Sequence, residues 1–91
     1  MNQDVLVHIL FKGHVQGVGF RATAFKIARE LNLKGTVANL SDGSVEAYIQ
    51  GQEDIIDQFL EMIKQHFANK ITEVVQKRQP QSHIYDDFRI I

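Results

Sequence analysis

The run Gly13-His14-Val15-Gln16-Gly17-Val18-Gly19-Phe20-Arg21 constrains this chain more than any other stretch, because the apolar period changes across it. Before it, Val5, Val7, Ile9 and Phe11 alternate with Leu6, His8, Leu10 and Lys12, the period-two pattern of a strand. After it, Phe20, Ala24, Ile27, Ala28 and Leu31 recur at helical spacing. That spacing predicts an amphipathic helix of about three turns from Phe20 to Leu31, with Asn32 as a left-handed stop. The chain must therefore pass from strand to helix through a glycine loop. Glycines let backbone N–H groups face a ligand with no Cβ in the way. A helix start adds unpaired N–H donors and the positive end of a dipole. Arg21 adds a planar guanidinium fork that matches phosphate oxygens. The combination is that of a phosphate cradle.

The rest of the chain fixes what surrounds the cradle. Gly35 to Leu40 reads as a second strand and Ser41-Asp42-Gly43 as a tight turn. Val45, Ala47 and Ile49 then alternate with Glu46, Tyr48 and Gln50, which completes a hairpin closed by Gly51. Glu53 and Asp54 open a second helix whose apolar stripe is Ile56, Phe59, Leu60, Ile63 and Phe67. A fourth strand spans Ile71 to Lys77, Pro80 interrupts the chain, and a last short strand spans Asp86 to Ile90. The order β-α-β-β-α-β plus a terminal strand predicts an α+β fold: a ferredoxin-like sandwich with an antiparallel sheet and two helices on one face. Residues 1–91 form a single domain on this reading.

Topology then makes a functional statement. In a split βαβ arrangement the first two strands are parallel with the third between them, so their C-terminal ends share one edge of the sheet. The glycine loop leaves the first strand there, and Asn39 leaves the second. Asn39 shares parity with Val37, so its amide faces the helix side, where the first helix begins. Arg21 and Asn39 should meet across 18 positions of sequence. The C-terminal Ile91 carboxylate is placed to approach Arg21 along the edge strand.

Composition narrows the alternatives. A net charge of −1 offers no broad attraction for nucleic acid or an anionic membrane. The open faces of the first and third strands carry Leu6, His8, Leu10, Glu46, Tyr48 and Gln50, which is not the aromatic platform of an RNA-recognition module. The absence of cysteine removes disulfides, thiolate nucleophiles and Cys-based metal sites. No apolar run approaches a membrane span and no signal peptide is evident, so a cytoplasmic location is expected. No histidine spacing suits a metal. His14 reads as an exposed loop residue, His8 as an open-face residue, His66 as helix surface and His83 as loop. No Gly-Lys-Ser/Thr ends the glycine loop, which excludes a P-loop nucleotide hydrolase.

Gly13 to Arg21 resembles the first signature of the acylphosphatase family, a G-x-V-Q-G-V-x-F-R pattern that opens the first helix. Gly35-Thr36-Val37-Ala38-Asn39-Leu40-Ser41-Asp42-Gly43-Ser44-Val45 resembles the second, centred on an asparagine and a D-G-x-V hairpin. The resemblance covers the whole chain. Thr36 stands where the family usually has an aromatic residue, and Ala38 where a basic or long polar residue commonly precedes the asparagine.

The resemblance implies hydrolysis of the carboxyl–phosphate bond of acyl phosphates without metal, cofactor or phosphoenzyme. By residue-wise carry-over, backbone N–H groups of Val15, Gln16, Gly17, Val18, Gly19 and Phe20 hold the phosphate; the plainer alternative for Gln16 is that it only shapes the loop. Arg21 binds the phosphate and its transition-state charge, and Asn39 orients the attacking water. The implied partner is a small acyl phosphate, with inorganic phosphate or sulfate able to occupy the same site, and the expected state is a monomer. An accessory domain of the kind found inside larger carbamoyl-handling maturation proteins is the alternative.

Overall fold

In the computed structural model, which describes residues 4–91, the long first strand carries the sheet. β1 (Asp4–Gly13) runs antiparallel to both β3 (Val45–Gln52) and β4 (Ile71–Gln79). β2 (Lys34–Asn39) pairs antiparallel with β3, and β5 (Phe88–Ile90) lies beside β2, giving the order β4-β1-β3-β2-β5. α1 (Phe20–Glu30) and α2 (Glu53–His66) bury their apolar stripes against one face of this sheet. The ferredoxin-like βαββαβ arrangement is as the sequence predicts.

The four main strands are antiparallel, as expected. The terminal strand, whose direction the sequence leaves open, makes the five-stranded sheet mixed, because β5 runs parallel to β2, with Gly35 opposite Phe88 and Val37 opposite Ile90. The chain leaves β4 at one edge and must cross to the other edge before it pairs. Gln50 holds this crossing: its side-chain N–H group donates to Gln81 Oε1 at 2.7 Å and to the His83 carbonyl at 2.8 Å. Its Oε1 accepts the Tyr85 N–H at 2.8 Å. Gln50 is buried, and a buried amide with its partners satisfied costs little while fixing the path of the chain. Several boundaries also move. β3 continues through Gly51 to Gln52, β4 runs on to Gln79, and β5 begins at Phe88 rather than Asp86. α1 ends at Glu30, and Asn32 takes the left-handed conformation (φ 58°) expected of it.

Strand parity builds the core. Val7, Ile9 and Phe11 on β1 and Val45, Ala47 and Ile49 on β3 face the helices, while their alternates face the other side. Phe20, the first residue of α1, is buried between Phe11 and Phe67, with ring centroids 4.9 and 4.6 Å away. Burying a phenylalanine stabilises by about 1.5–3 kcal/mol. Here it also nails the start of α1 to the sheet. On the opposite face His8 Nε2 lies 2.8 Å from Glu46 Oε2, and its ring lies tilted against Tyr48 with centroids 4.7 Å apart. Thr36 and Ala38 pair with Tyr48 and Glu46 on that face, away from the helices. The two departures from the family pattern therefore sit on the side of β2 that Asn39 does not use.

Candidate active site

The glycine loop is held at both ends by the core. Val15 is fully buried and Phe20 nearly so. Between them Gly17 and Gly19 adopt left-handed backbone, with φ 76° and 79°. A Cβ built on either would meet nothing within 4 Å, so glycine is needed there for conformation and not for space. Gly19 then caps α1. The first bond of the helix runs from the Thr23 N–H to the Gly19 carbonyl at 3.0 Å, which leaves the N–H groups of Phe20, Arg21 and Ala22 without helical acceptors.

The electrostatics differ between the two helix starts. α2 has Glu53 and Asp54 in its first turn, acids that complement its own dipole. α1 has none. Its positive end is open to an external anion. Arg21 is half-buried, and among the described residues its guanidinium enters no ion pair and no side-chain hydrogen bond. Asn39 is the last residue of β2, opposite Val45, exposed and on the Val37 side.

These groups converge on one cavity of about 220 Å³, lined by Val15, Gly17, Gly19, Phe20, Arg21, Ala22, Asn39 and Ile90. The meeting of Arg21 and Asn39 expected from strand parity is present. Gln16 and Val18 do not line the cavity. Val18 packs against the core, and Gln16 turns its side chain away to donate to the Leu40 carbonyl at 2.7 Å and the Ser44 carbonyl at 2.9 Å. His14 is exposed and outside the cavity. Ala22 and Ile90 line it although nothing in the sequence marks them. Ile90 arrives through the parallel pairing of β5 with β2, which only the three-dimensional order of strands reveals. The C-terminal carboxylate makes no ion pair with Arg21 among the described residues, so the approach along the edge strand brings a side chain and not the anticipated charge.

Among the described residues no carboxylate, imidazole or thiol lines the cavity. Its chemical resources are main-chain donors, one cation and one amide. These suit the binding of a tetrahedral anion and the orientation of a neutral nucleophile.

Comparison with known proteins agrees. The acylphosphatase family model matches residues 7–90. The acylphosphatase of Treponema denticola is 37% identical over 92 residues, covering 99% of this chain and 98% of that protein. The crystal structure of acylphosphatase from Bacillus subtilis superposes with a TM-score of 0.87 at 30% identity, covering 96% of this chain and 98% of that one. A segment amounting to 12% of T. kodakarensis HypF also superposes, with a TM-score of 0.83 at 32% identity over 96% of this chain. Relatives matched over nearly their full length, on a fold whose glycine loop, arginine and asparagine meet in one cavity, establish that the chain belongs to the acylphosphatase family, hydrolases acting on acid anhydrides.

Proposed function

We propose that the chain hydrolyses acyl phosphates by direct attack of water on phosphorus, with Arg21 and the 15–20 loop holding the phosphate and Asn39 orienting the water. The observation that carries this reading is the cavity that joins Arg21, Asn39 and the start of α1 with no carboxylate, imidazole or thiol among the described residues of its wall. Such a wall offers no nucleophile for a covalent intermediate and no general base. It suits a reaction whose leaving group departs unaided. The water oxygen bonds to phosphorus, and the phosphorus–acyl oxygen bond breaks with its electron pair leaving on the carboxylate. The water's proton passes to a phosphate oxygen or to that carboxylate. The protein supplies position and charge stabilisation. On this reading neither metal nor cofactor takes part, and the enzyme works as a monomer on a free small-molecule substrate in the cytoplasm. Inorganic phosphate or sulfate competes for the same donors. On this reading nucleic acid and membrane are not partners, since a net charge of −1 offers neither a broad electrostatic attraction. No helix among the described residues is long and apolar enough to cross a membrane.

Benzoyl phosphate hydrolysis in the presence of EDTA tests it. Wild type should turn over, while Arg21→Ala and Asn39→Ala should each lose about 10²–10³ in kcat/KM with unchanged circular dichroism. Loss of wild-type turnover on adding EDTA would refute the metal-free mechanism, and full activity in either variant would refute that residue's role. A folded wild type with no turnover would point to the accessory-domain alternative.

A further inference from the structure

We propose that Gln16 is a positioning residue, which sets the place of Asn39 relative to the phosphate loop. This rests on the site reading above. The Gln16 side chain joins the two halves of the cavity. It leaves the loop between Val15 and Gly17, both of which line the cavity, and reaches the β2–β3 turn. Its amide hydrogens go to two carbonyls, Leu40 at 2.7 Å and Ser44 at 2.9 Å. Leu40 directly follows Asn39 in the chain.

Those carbonyls belong to a turn that is already closed. Leu40 N–H donates to the Ser44 carbonyl at 2.9 Å, and Gly43 N–H to the Leu40 carbonyl at 3.2 Å. The Asp42 carboxylate accepts from Ser44 N–H at 2.9 Å and Ser44 Oγ–H at 2.6 Å. The turn thus holds its shape without Gln16, and the glutamine fixes where that finished turn sits. Among the described residues no other side-chain hydrogen bond links the 13–21 loop to the 39–45 turn. Only a planar amide of this length offers two hydrogens to two carbonyls and remains neutral. Glutamate would set a carboxylate against the same two oxygens. Methionine would keep the length and donate nothing.

The consequence is kinetic. Asn39 acts by holding water in line, and a displacement of about 1 Å in such a group costs on the order of 10²-fold in rate. The phosphate donors of the loop and Arg21 stay anchored through Val15 and Phe20. Loss of the Gln16 tie should therefore lower kcat and spare phosphate binding.

The test is a double-mutant cycle with benzoyl phosphate, using Gln16→Met and Gln16→Glu alone and with Asn39→Ala, and inorganic phosphate as a competitive inhibitor. Each Gln16 change should lower kcat by about 10-fold to 10²-fold and leave the phosphate inhibition constant unchanged. In the Asn39→Ala background it should cost nothing further, because the effect travels through Asn39. Equal losses in both backgrounds, a parallel loss of phosphate affinity, wild-type kcat in a folded Gln16→Met protein, or failure of both variants to fold would each overturn the proposal. A fully active Asn39→Ala protein would overturn the site reading itself, and this inference with it. A severe Asn39→Ala loss with additive Gln16 losses would overturn the inference alone.

Discussion

Replacing Gly19 by alanine isolates one energetic contribution in the loop. Gly19 sits at φ 79°, ψ 20°, at the head of α1. Holding an L-residue with a Cβ in that left-handed well costs about 1–2 kcal/mol. Alanine also has less freedom than glycine in the unfolded chain, which returns about 0.4–1 kcal/mol. No steric contribution enters, since the new Cβ would find nothing within 4 Å. The net loss is about 1 kcal/mol, or a drop of about 4–8 °C in Tm for a domain of this size. Urea unfolding followed by circular dichroism, with a thermal melt in parallel, measures both. Gly19→Asn should lose less, because asparagine visits the left-handed region at smaller cost. A loss beyond about 3 kcal/mol would mean that the side chain meets something, and the open surroundings of the loop would be wrong. No loss at all, or an equal loss for alanine and asparagine, would mean that the left-handed turn does not set the entry to the helix.

Two further expectations follow from other parts of the fold. The Asp42 carboxyl is held below its ordinary value of 3.8 by hydrogen bonds from the Ser44 hydroxyl and N–H. A carboxyl that binds its proton more weakly when folded stabilises the turn above the unfolded value, and that contribution fades as pH falls through the lower, folded one. The stability gap between wild type and Asp42→Asn, measured by urea unfolding across pH, should therefore be open at neutral pH and close below about 3.8; a gap independent of pH would refute the assignment. Ile49 at the centre of β3 has no exposure, so Ile49→Val should lose about 0.5–1.5 kcal/mol in the same assay with activity retained, and an unchanged midpoint would argue against close packing in the core.

The elements and the pairing of Arg21 with Asn39 were legible because each rests on a local pattern plus a topological rule. Alternation along β1 and β3, helical spacing after Gly19 and the Ser-Asp-Gly turn are written in side-chain chemistry. Parity then carries Asn39 to the helix side without any distance information. The place of Ile90 in the cavity was not legible. A three-residue strand carries no usable period, and its direction depends on a crossing held by Gln50, whose partners lie 31 to 35 residues away. The bridge from Gln16 was hidden for a related reason. Its acceptors are main-chain carbonyls 24 and 28 positions distant, and a carbonyl has the same chemistry whatever residue bears it. A long-range side-chain bond to backbone leaves no complementary residue for the eye to find.

The same distinction explains why this site needs so much support from residues outside its wall. Acid–base groups tolerate some misplacement, because a proton can move along a hydrogen bond that tightens when substrate arrives. A cavity whose polar groups, among the described residues, are main-chain donors, a guanidinium and an amide has no such latitude: on the mechanism proposed above, its contribution is the geometry itself. The fold answers by fixing that geometry from separate directions. Val15 and Phe20 bind the loop to the core, and the Phe11–Phe20–Phe67 contacts hold the helix start. Gln16 ties the loop to the turn after Asn39, and Gln50 guides the strand that brings Ile90 to the rim. On the proposed mechanism, rate is then a property of the frame as much as of the contacting atoms, and the side chains proposed to set it extend into parts of the chain outside the cavity wall.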